Sequence, residues 1–354
     1  MANRRSTAVL LSGGVDSSLA LRLLCDAGGH DLTAFYLKVW LEEEVAFLGT
    51  CPWEEDLRYA RAVCRQLGVP LEVVPLQAEY LEQVVAHALD ELRAGRTPCP
   101  DIVCNRRIKF GAFARHLGPA FECLASGHYA QVAQADGVCW LRRSPDPVKD
   151  QTYFLADLTQ EQLRRLLFPI GHLRKEEVRR LARRCGLPTQ DRKDSQGICF
   201  LGRIRYRDFV RFHLGERPGP ILQVGSGRLL GQHRGYWFHT IGQRFGLGLG
   251  GGPWYVAGKD VASNAVYVCH RDQLPEHGRS VLRLPSPHWI SGPPSQRDLR
   301  VRLRHGPELI PCRLACEPDG GLQVTLAEPD PGVAPGQHAV LYDGDVCLGG
   351  GVIE

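Results

Sequence analysis

Roughly the first 200 residues alternate between short apolar runs and longer segments in which apolar residues recur at helical spacing. Residues 7–11 have the pattern of a buried strand, a glycine motif follows at 12–18, and the next apolar-periodic stretch ends at Gly28 and Gly29. Further segments of strand or helix type are LTAFYLKVW, EEDLRYARAVCRQLG, VPLEVVPL, YLEQVVAHALDELRAG, CLASGHYAQVA and VCWLRR. Because strands and helices alternate, we predict an α/β fold with a parallel sheet that helices cover on both faces.

The pattern changes in the second half of the chain. Residues 215–275 contain many glycines, few helical windows and several aromatic strand-like segments. From 276 onward, short alternating segments are separated by Pro, Asp and Gly turns, which is typical of a small β-barrel. We therefore predict three domains: an α/β domain at 1–210, a small central domain at 211–275 and a C-terminal β-barrel at 276–354.

Length and composition exclude several classes of protein. Apolar residues make up 44% and charged residues 23% of the 354 residues, which is the balance of a globular chain and not of a disordered one. No run of about 18 uncharged apolar residues occurs, so we predict no transmembrane helix. The N-terminal apolar run passes directly into the glycine motif without a cleavage site of small residues, and we expect a cytosolic protein.

The 13 cysteines are the most unusual feature of the composition. In a secreted protein such a number would indicate disulfides, whereas in a cytosolic protein it favours cysteine chemistry. Cys312 and Cys316 lie on a predicted hairpin and have no neighbouring pair of ligands at zinc spacing, so we expect no metal site there or elsewhere. The net charge of +4 permits a nucleic-acid partner without requiring one.

The motif at 12–18, SGGVDSS, lies between a predicted strand and a predicted helix. Two glycines allow a tight turn whose N–H groups face a phosphate, and the helix N-terminus adds partial positive charge. The motif lacks the lysine of a Walker A loop. Since parallel sheets bind ligands at the carboxyl ends of their strands, we predict a phosphate-binding site at this turn.

SGGVDSS resembles the signature of the PP-loop ATP pyrophosphatase superfamily. Other segments are similar in order and spacing to one family within it, the tRNA-specific 2-thiouridylases. These segments are TPCPDIVCNRRIKF at 97–110, GHYA at 127–130, KDQTYFL at 149–155, KDSQGICF at 193–200, TIGQR at 240–244 and the closing VCLGGGVIE. The resemblance therefore covers nearly the whole chain.

The resemblance implies an activity. Members of the superfamily cleave ATP between the α and β phosphates, adenylate a carbonyl oxygen and release pyrophosphate. The family resemblance implies that the carbonyl is carbon 2 of the wobble uridine in tRNA and that sulfur replaces its oxygen. A thiolate or persulfide is a strong nucleophile at neutral pH, which suits cysteine to this transfer.

The resemblance also assigns residues. It implies that Cys199 carries the sulfur as a persulfide, that Cys104 is the second catalytic cysteine, that the two form a transient disulfide, and that Asp101 is an acid–base group. The ATP site that it implies is formed by Leu10, Leu11, Ser12, Gly13, Gly14, Val15, Asp16, Ser17, Leu37 and Gly127. The tRNA contacts that it implies come from Cys99, Pro100, Asp101, His128, Lys149, Asp150, Gln151, Arg304 and His305.

Three features depart from the family pattern or add to it. Cys99 stands where family members usually carry asparagine, which adds a third thiol near Cys104. Residues 300–305, RVRLRH, place arginines at alternate positions of a predicted strand, so we expect one face of that strand to be a basic stripe that binds phosphate. Cys51-Pro52-Trp53 also differs from the common form of the family, and no role is assigned to it.

We expect ATP with Mg²⁺ as the nucleotide substrate, tRNA as the sulfur acceptor, a cysteine desulfurase or sulfur-relay protein as the donor, and a monomer with no membrane partner. An iron–sulfur cluster held by Cys104, Cys199 and either Asp101 or Cys99 is an alternative to the persulfide. Two other function classes are an amine- or amide-forming PP-loop ligase and a non-catalytic RNA-binding protein. The placement of Cys104 and Cys199 speaks against the ligase.

Overall fold

The computed structural model describes residues 4–39, 53–193 and 205–354. Cys199, Cys51 and Pro52 lie outside the described residues. The described strands form three sheets, of five, four and nine strands. In this part of the chain, no helix is both long enough and apolar enough to cross a lipid bilayer.

The strands in chain order are β1 (Arg5–Leu10), β2 (His30–Lys38), β3 (Leu71–Pro75), β4 (Cys123–Ala125), β5 (Ala130–Ala135), β6 (Val138–Arg143), β7 (Leu166–Leu167), β8 (Gly219–Gln223), β9 (Leu229–His233), β10 (Trp254–Asp260), β11 (Ala265–His270), β12 (Arg279–Leu284), β13 (His288–Trp289), β14 (Asp298–Arg302), β15 (Ile310–Cys316), β16 (Leu322–Asp330), β17 (His338–Asp343) and β18 (Val346–Val352).

The α-helices are α1 (Val15–Ala27), α2 (Trp53–Leu67), α3 (Gln77–Tyr80), α4 (Ala86–Arg93), α5 (Pro100–Val103), α6 (Phe113–Leu117), α7 (Gln160–Arg165), α8 (Lys175–Arg184) and α9 (Tyr206–Leu214). Two π-helical segments, Leu81–Val85 and Cys104–Ala112, connect α3 to α4 and α5 to α6. Short 3-10 turns lie at Gly118–Ala120, Thr152–Leu155, Tyr236–Phe238 and Arg271–His277.

The N-terminal sheet is parallel, with the strand order β3-β2-β1-β4-β7. Successive residues of β1 point to opposite faces: Val9 packs in the cluster of Leu57 on α2, whereas Ala8 packs with Leu89 on α4. Helices therefore cover both faces, and the predicted α/β fold with a parallel sheet is confirmed. The chain builds the sheet outward from β1 in both directions, so the switch point of the topology lies between β1 and β4.

The prediction was wrong for two strands of this region. CLASGHYAQVA and VCWLRR are both predicted as strands of the alternating α/β region, and the first segment does begin with β4 of the parallel sheet. Its second part, β5, instead forms with β6 an antiparallel hairpin that pairs with β18 of the C-terminal sheet. The reason is the two-residue turn between them, in which Asp136 has φ 50° and Gly137 has φ 77°. An Asp-Gly turn of this kind joins antiparallel strands and cannot lead into a parallel one.

The other two sheets follow in the second half of the chain. The central sheet has the order β10-β11-β8-β9. The C-terminal sheet has the order β12-β16-β15-β14-β17-β18-β6-β5, with β13 paired to β18, and encloses its own apolar core that includes Leu282, Val301, Val324 and Leu341. The first predicted domain boundary, after residue 210, falls within α9.

A buried ion pair joins the N-terminal unit to the C-terminal sheet. Asp150 and Arg302 are each 1% exposed. Asp150 Oδ2 accepts from Arg302 NH1 at 2.9 Å and from Arg143 Nε at 3.0 Å, and Asp150 Oδ1 accepts from Thr152 Oγ1 at 2.8 Å. Arg302 Nε and NH2 find no hydrogen-bond partner among the described residues. The guanidinium therefore depends on this one carboxylate for its charge compensation.

We expect Asp150→Asn to lower the free energy of unfolding by about 3–5 kcal/mol, because it leaves the buried Arg302 charge uncompensated. Urea unfolding followed by tryptophan fluorescence measures this. Asp345→Asn is the matched control, since it removes an ion pair with Arg142 whose side chains are 52% and 47% exposed. The control should cost less than about 1 kcal/mol. Equal costs for the two variants would show that the buried pair does not stabilise the contact between the units.

Candidate active site

The glycine loop leaves β1 and turns directly into α1. Gly13 has φ 74°, and a Cβ built there would lie 2.2 Å from the backbone oxygen of Asp56 on α2, so only glycine fits. Gly14 caps α1 without a side-chain hydrogen bond. Ser17 Oγ and Ser18 Oγ instead donate to the Gly14 carbonyl at 3.2 and 2.7 Å. The loop thus presents the backbone N–H groups of a 13-residue helix to an anion.

A second glycine brings the neighbouring strand against this loop. A Cβ on Gly127, which follows β4, would lie 2.7 Å from Ser17 N and 2.8 Å from the carbonyl carbon of Asp16. The absence of a side chain at Gly127 is therefore what lets the two loops meet at the switch point. Beneath them, Leu10, Leu11 and Val15 are buried.

The residues predicted for ATP therefore lie at one edge of the sheet. Leu37 is half-buried near the end of β2, on the other side of β1 from β4. The structure brings Leu10–Ser17, Leu37 and Gly127 to the carboxyl ends of three neighbouring strands.

The sequence did not identify two residues that hold the first turn of α1. Lys175 Nζ, from the first residue of α8, lies 2.7 and 2.8 Å from the carboxylate oxygens of Asp16. Tyr129 OH donates to Asp16 Oδ1 at 2.8 Å. Lys175 was detectable only as one of six lysines in an arginine-rich chain, and Tyr129 as a member of the GHYA segment.

Arg192 is a third residue that the sequence missed. Its NH1 donates to the Gly13 carbonyl at 2.7 Å, and its NH2 lies 2.6 Å from Asp56 Oδ1. Its guanidinium also lies 4.4 Å from the ring centroid of Tyr59. Arg192 thus ties the turn of the glycine loop to α2, in addition to the close contact that Gly13 already makes there.

The helix that carries Cys104 begins at Pro100, which occupies its first turn. Cys104 is 6% exposed and opens the π-helical segment Cys104–Ala112. Segments of this kind are frequent at functional sites. Cys99 precedes Pro100, and burial, followed by the charge of Asp101, raises its pKa to about 12. Cys99 is therefore a protonated thiol at neutral pH and a weak nucleophile.

Charged groups connect this helix to the loop after β4. Burial raises the pKa of Asp101, and the charges of Lys109 and His305 oppose that rise. Burial, assisted by the charge of Lys109, lowers the pKa of His128 well below its ordinary value. The His128 ring lies 5.7 Å from the ring of Phe110 on the segment Cys104–Ala112, so this helix packs against the loop after β4. His128 Nδ1 lies 2.8 Å from Ser126 Oγ.

The C-terminal sheet also reaches this helix. The His305 ring stacks on Phe154, with centroids 4.7 Å apart and an interplanar angle of 20°. The Phe154 carbonyl in turn accepts from Asn105 Nδ2 at 2.9 Å, and Asn105 follows Cys104. Arg304 is half-exposed and forms two contacts with Asp330, at 2.9 and 3.2 Å.

The prediction of a basic stripe at 300–305 is wrong for its middle arginine, Arg302. Arg300 and Arg304 are exposed, but Arg302 is buried against Asp150. The physical reason is that Asp150 supplies a buried carboxylate opposite this face of β14, which draws the central arginine inward. The strand therefore presents two separate arginines.

The segment 149–151 has its side chains in different surroundings. Lys149 is half-buried, and the Asp150 carboxylate lies in the buried ion pair. Gln151 Oε1 accepts from the Tyr129 N–H at 2.9 Å. This segment therefore fixes the loop that carries His128, and its contact with RNA stays a prediction.

Cys199 lies outside the described residues, so its pairing with Cys104 stays a prediction. Across residues 4–39, 53–193 and 205–354, no three His, Cys, Asp or Glu side chains are grouped so that they could hold a metal ion. The alternative cluster includes Cys199 and is not tested by that finding.

Three family models match consecutive parts of the chain. A tRNA methyl transferase HUP domain matches residues 5–203, a tRNA methyl transferase PRC-barrel domain matches 207–270, and an aminomethyltransferase beta-barrel domain matches 279–353. The α/β sheet, the central unit and the C-terminal β-barrel are thus each recovered by an independent comparison.

Curated relatives match over the full length. A tRNA-specific 2-thiouridylase of Bacteroides thetaiotaomicron is 47% identical over 353 residues, covering 98% of this chain and 99% of that protein. A tRNA-specific 2-thiouridylase of Parabacteroides distasonis is 44% identical, covering 98% of both chains. A solved structure of the U34-tRNA thiolase NcsA from Methanococcus maripaludis with its 4Fe-4S cluster is 18% identical with a TM-score of 0.36, covering 59% of this chain and 64% of that one. That last similarity is too low to carry an argument.

We expect Arg192→Met to weaken ATP binding by about tenfold, because it removes a charge-assisted hydrogen bond of about 1.5–3 kcal/mol that fixes the glycine loop. Equilibrium dialysis with labelled ATP measures this. Arg58→Gln is the matched control on the facing helix, since Arg58 is 71% exposed and its contacts, 3.8 Å to Glu55 and 5.5 Å to the Tyr59 ring, do not include the glycine loop. Equal affinities for Arg192→Met and the control would mean that the glycine turn holds its shape without Arg192.

Proposed function

The chain belongs to the tRNA-specific 2-thiouridylase family, and from that premise we propose how its residues carry out ATP-dependent 2-thiolation of the wobble uridine of tRNA. The enzyme is a tRNA-uridine 2-sulfurtransferase. The observation that best supports the proposed roles is the proximity of two features: the glycine loop after β1, against which Gly127 packs, and the helix of Cys104, whose Phe110 ring lies 5.7 Å from that of His128.

ATP binds with its phosphates at the N-terminus of α1 and its adenine near Leu37. The backbone N–H groups of the loop stabilise the charge that develops on the departing pyrophosphate, because they are fixed before the reaction begins. Asp16 and Asp56 are each paired with a cation, Lys175 and Arg192 respectively. If Mg²⁺ entered with ATP, it would neutralise phosphate charge and would take most of its ligands from phosphate oxygens and water, since both carboxylates are already paired.

Adenylation converts the oxygen on carbon 2 of the uridine into a leaving group. The terminal sulfur of a Cys199 persulfide attacks this carbon, and AMP departs with the oxygen. The Cys104 thiolate then attacks the Cys199 sulfur, so that the new C–S bond stays with the uridine as a thiocarbonyl. The step leaves a Cys104–Cys199 disulfide, which an external thiol reductant opens before the next turnover.

Asp101 is the acid–base group of this reaction, placed one helical turn before Cys104. Burial raises its pKa, so the carboxylate stays protonated to a higher pH than an ordinary aspartate does. As a base it must be deprotonated, and its contribution therefore falls as the pH drops through the raised pKa. A pKa moved toward neutrality is the direction that general acid–base catalysis favours.

The tRNA contacts come from both ends of the chain. His128 and the segment 99–101 lie beside the Cys104 helix, and Lys149 lies in the loop that precedes Gln151. Arg304 and His305 approach from the C-terminal sheet, where His305 stacks on Phe154. These placements support a uridine bound between the glycine loop and the barrel.

The family-model descriptions name methyl transfer, whereas the full-length relatives are named for thiolation. Thiolation is favoured because the helix beside the glycine loop carries a buried cysteine at position 104. The same cysteine speaks against the amine- or amide-forming ligase. ATP–pyrophosphate exchange distinguishes the enzyme from a protein that only binds RNA.

We further propose that the chain functions as a monomer in the cytosol and takes its sulfur from a cysteine desulfurase or a relay protein. Its working units correspond to residues 1–210, 211–275 and 276–354. The persulfide route is preferred to an iron–sulfur cluster. Iron content and absorbance of anaerobically purified protein distinguish the two.

We expect Cys104→Ser and Cys199→Ser each to abolish thiolation, with ATP affinity unchanged, because a hydroxyl neither carries a persulfide nor resolves one. Mass spectrometry of tRNA incubated with enzyme, ATP and a cysteine desulfurase with cysteine, which delivers sulfur at the persulfide level, measures thiolated uridine. Cys316→Ser, at an exposed cysteine of the barrel, is the control and should thiolate normally. Normal turnover in either catalytic variant would remove that cysteine from the mechanism.

We expect Arg304→Gln to weaken tRNA binding and to reduce the slope of log affinity against log salt by about one, because one phosphate contact is lost. Filter binding across a salt series measures this. Arg313→Gln is the control within the same sheet, since Arg313 is 72% exposed. An unchanged slope for Arg304→Gln would assign Arg304 to its ion pair with Asp330 alone.

A further inference from the structure

The central unit contains a cavity that the proposed reaction does not use. Its volume is about 240 Å³, and α9 and the strands of the central sheet surround it. Exposed arginines lie around it, and buried side chains, among them Ile221, His233 and His239, form its inner wall. The cavity thus opens at a basic rim and ends among buried side chains.

The carboxylates at the rim are already neutralised. Asp208 contacts Arg211 at 3.0 Å, and Glu216 contacts Arg211 at 3.6 Å and Arg234 at 3.5 Å. Arg207 also lines the cavity, but it has no carboxylate within ion-pair distance among the residues that the structure describes. The rim therefore keeps one uncompensated guanidinium.

The inner end carries polar atoms without partners. His239 is 3% exposed, and its Nδ1 finds no hydrogen-bond partner in the described part of the chain. Behind the cavity wall, the ammonium nitrogen of Lys259 on β10 is also buried without a partner in that part. Lys259 pairs with Val266, and Val266 pairs with the cavity residue Ile221, so the lysine lies on the same face of the sheet as the cavity. Burial lowers the pKa of Lys259 to about 8, so most of these side chains still carry their charge at pH 7. An uncompensated buried ammonium is costly to the folded state.

The guanidinium of Arg207 and the ammonium of Lys259 both lie near the imidazole ring of His239. Burial, followed by the charges of His233, Arg207 and Lys259, lowers the pKa of His239 to about 4. Arg207 lines the cavity beside His239, a neutral histidine that can donate one N–H. A small anion held against His239 would accept from its orphaned Nδ1 and compensate the nearby charges of Arg207 and Lys259.

We propose that this cavity, bounded by Arg207 and His239 with Lys259 behind them, is a binding site for a small free oxyanion of the phosphate class. A free ion is favoured over the backbone phosphate of an RNA because the Lys259 nitrogen and the His239 ring are enclosed by protein. A phosphodiester would have to bring its two flanking sugars into the cavity. The site is separate from the glycine loop and from Cys104, so it does not depend on the proposed reaction.

Inorganic phosphate is the probe, titrated calorimetrically into the full-length protein at constant ionic strength. We expect saturable binding of one phosphate, weakened about tenfold or more in Arg207→Gln, which loses a charge-assisted contact, and weakened in Lys259→Met, which removes the buried charge behind His239. Arg228→Gln, at an exposed arginine of the same unit, is the control and should bind phosphate as the parent does. Without phosphate, Lys259→Met should unfold at the same temperature as the parent or higher, because a buried unpaired charge is removed.

Absence of saturable binding, or equal affinity in the parent and both variants, would overturn the proposal. Arg207 is exposed, so Arg207→Gln keeps the test valid if Lys259→Met does not fold. A tRNA filter-binding series with the same variants separates the two sources of phosphate. Loss of tRNA affinity without binding of free phosphate would identify RNA backbone as the occupant and would also overturn the proposal. At saturating substrates, Lys259→Met should thiolate tRNA as fast as the parent protein does. Failure of the phosphate proposal therefore leaves the proposed role of Cys104 standing, and failure of the Cys104 prediction leaves the phosphate proposal standing.

Discussion

The parallel pairing of β1 with both β2 and β4 is the constraint on which the rest of the molecule depends. It places the carboxyl ends of three strands at one edge and sends the chain outward from β1 in two directions. The turn after β1 then faces the turn after β4 across a gap that only Gly127 can occupy. The strand pairing and the approach of Gly127 together position the residues that are proposed to bind ATP.

The same contact brings the glycine loop close to the helix of Cys104. His128 follows Gly127, and its ring lies 5.7 Å from that of Phe110 on the segment Cys104–Ala112. The glycine loop and the segment of Cys104 therefore meet at the loop of Gly127 and His128. Burial of Asp101 and His128 changes their pKa values in opposite directions, because the charged form of one is an anion and that of the other is a cation.

The C-terminal sheet is part of the site because of two features. The hairpin of β5 and β6 leaves the N-terminal unit and pairs with β18, and the buried pair of Asp150 and Arg302 closes the contact. His305 is thereby held over Phe154, next to the segment of Cys104. A barrel attached only by a linker would not fix a side chain at this position.

The sequence by itself determined the elements and the motifs, because strand and helix periodicity and the chemistry of SGGVDSS depend on residues that are close along the chain. It also contained the signal for the β5–β6 hairpin, in Asp136-Gly137, which was overlooked. Only the tertiary structure decided which cations meet which carboxylates. Lys175 with Asp16 and Arg302 with Asp150 are separated by 159 and 152 residues, and no local pattern encodes a contact across such distances. For that reason an arginine expected on a basic surface is buried, and a lysine without a motif holds the nucleotide loop.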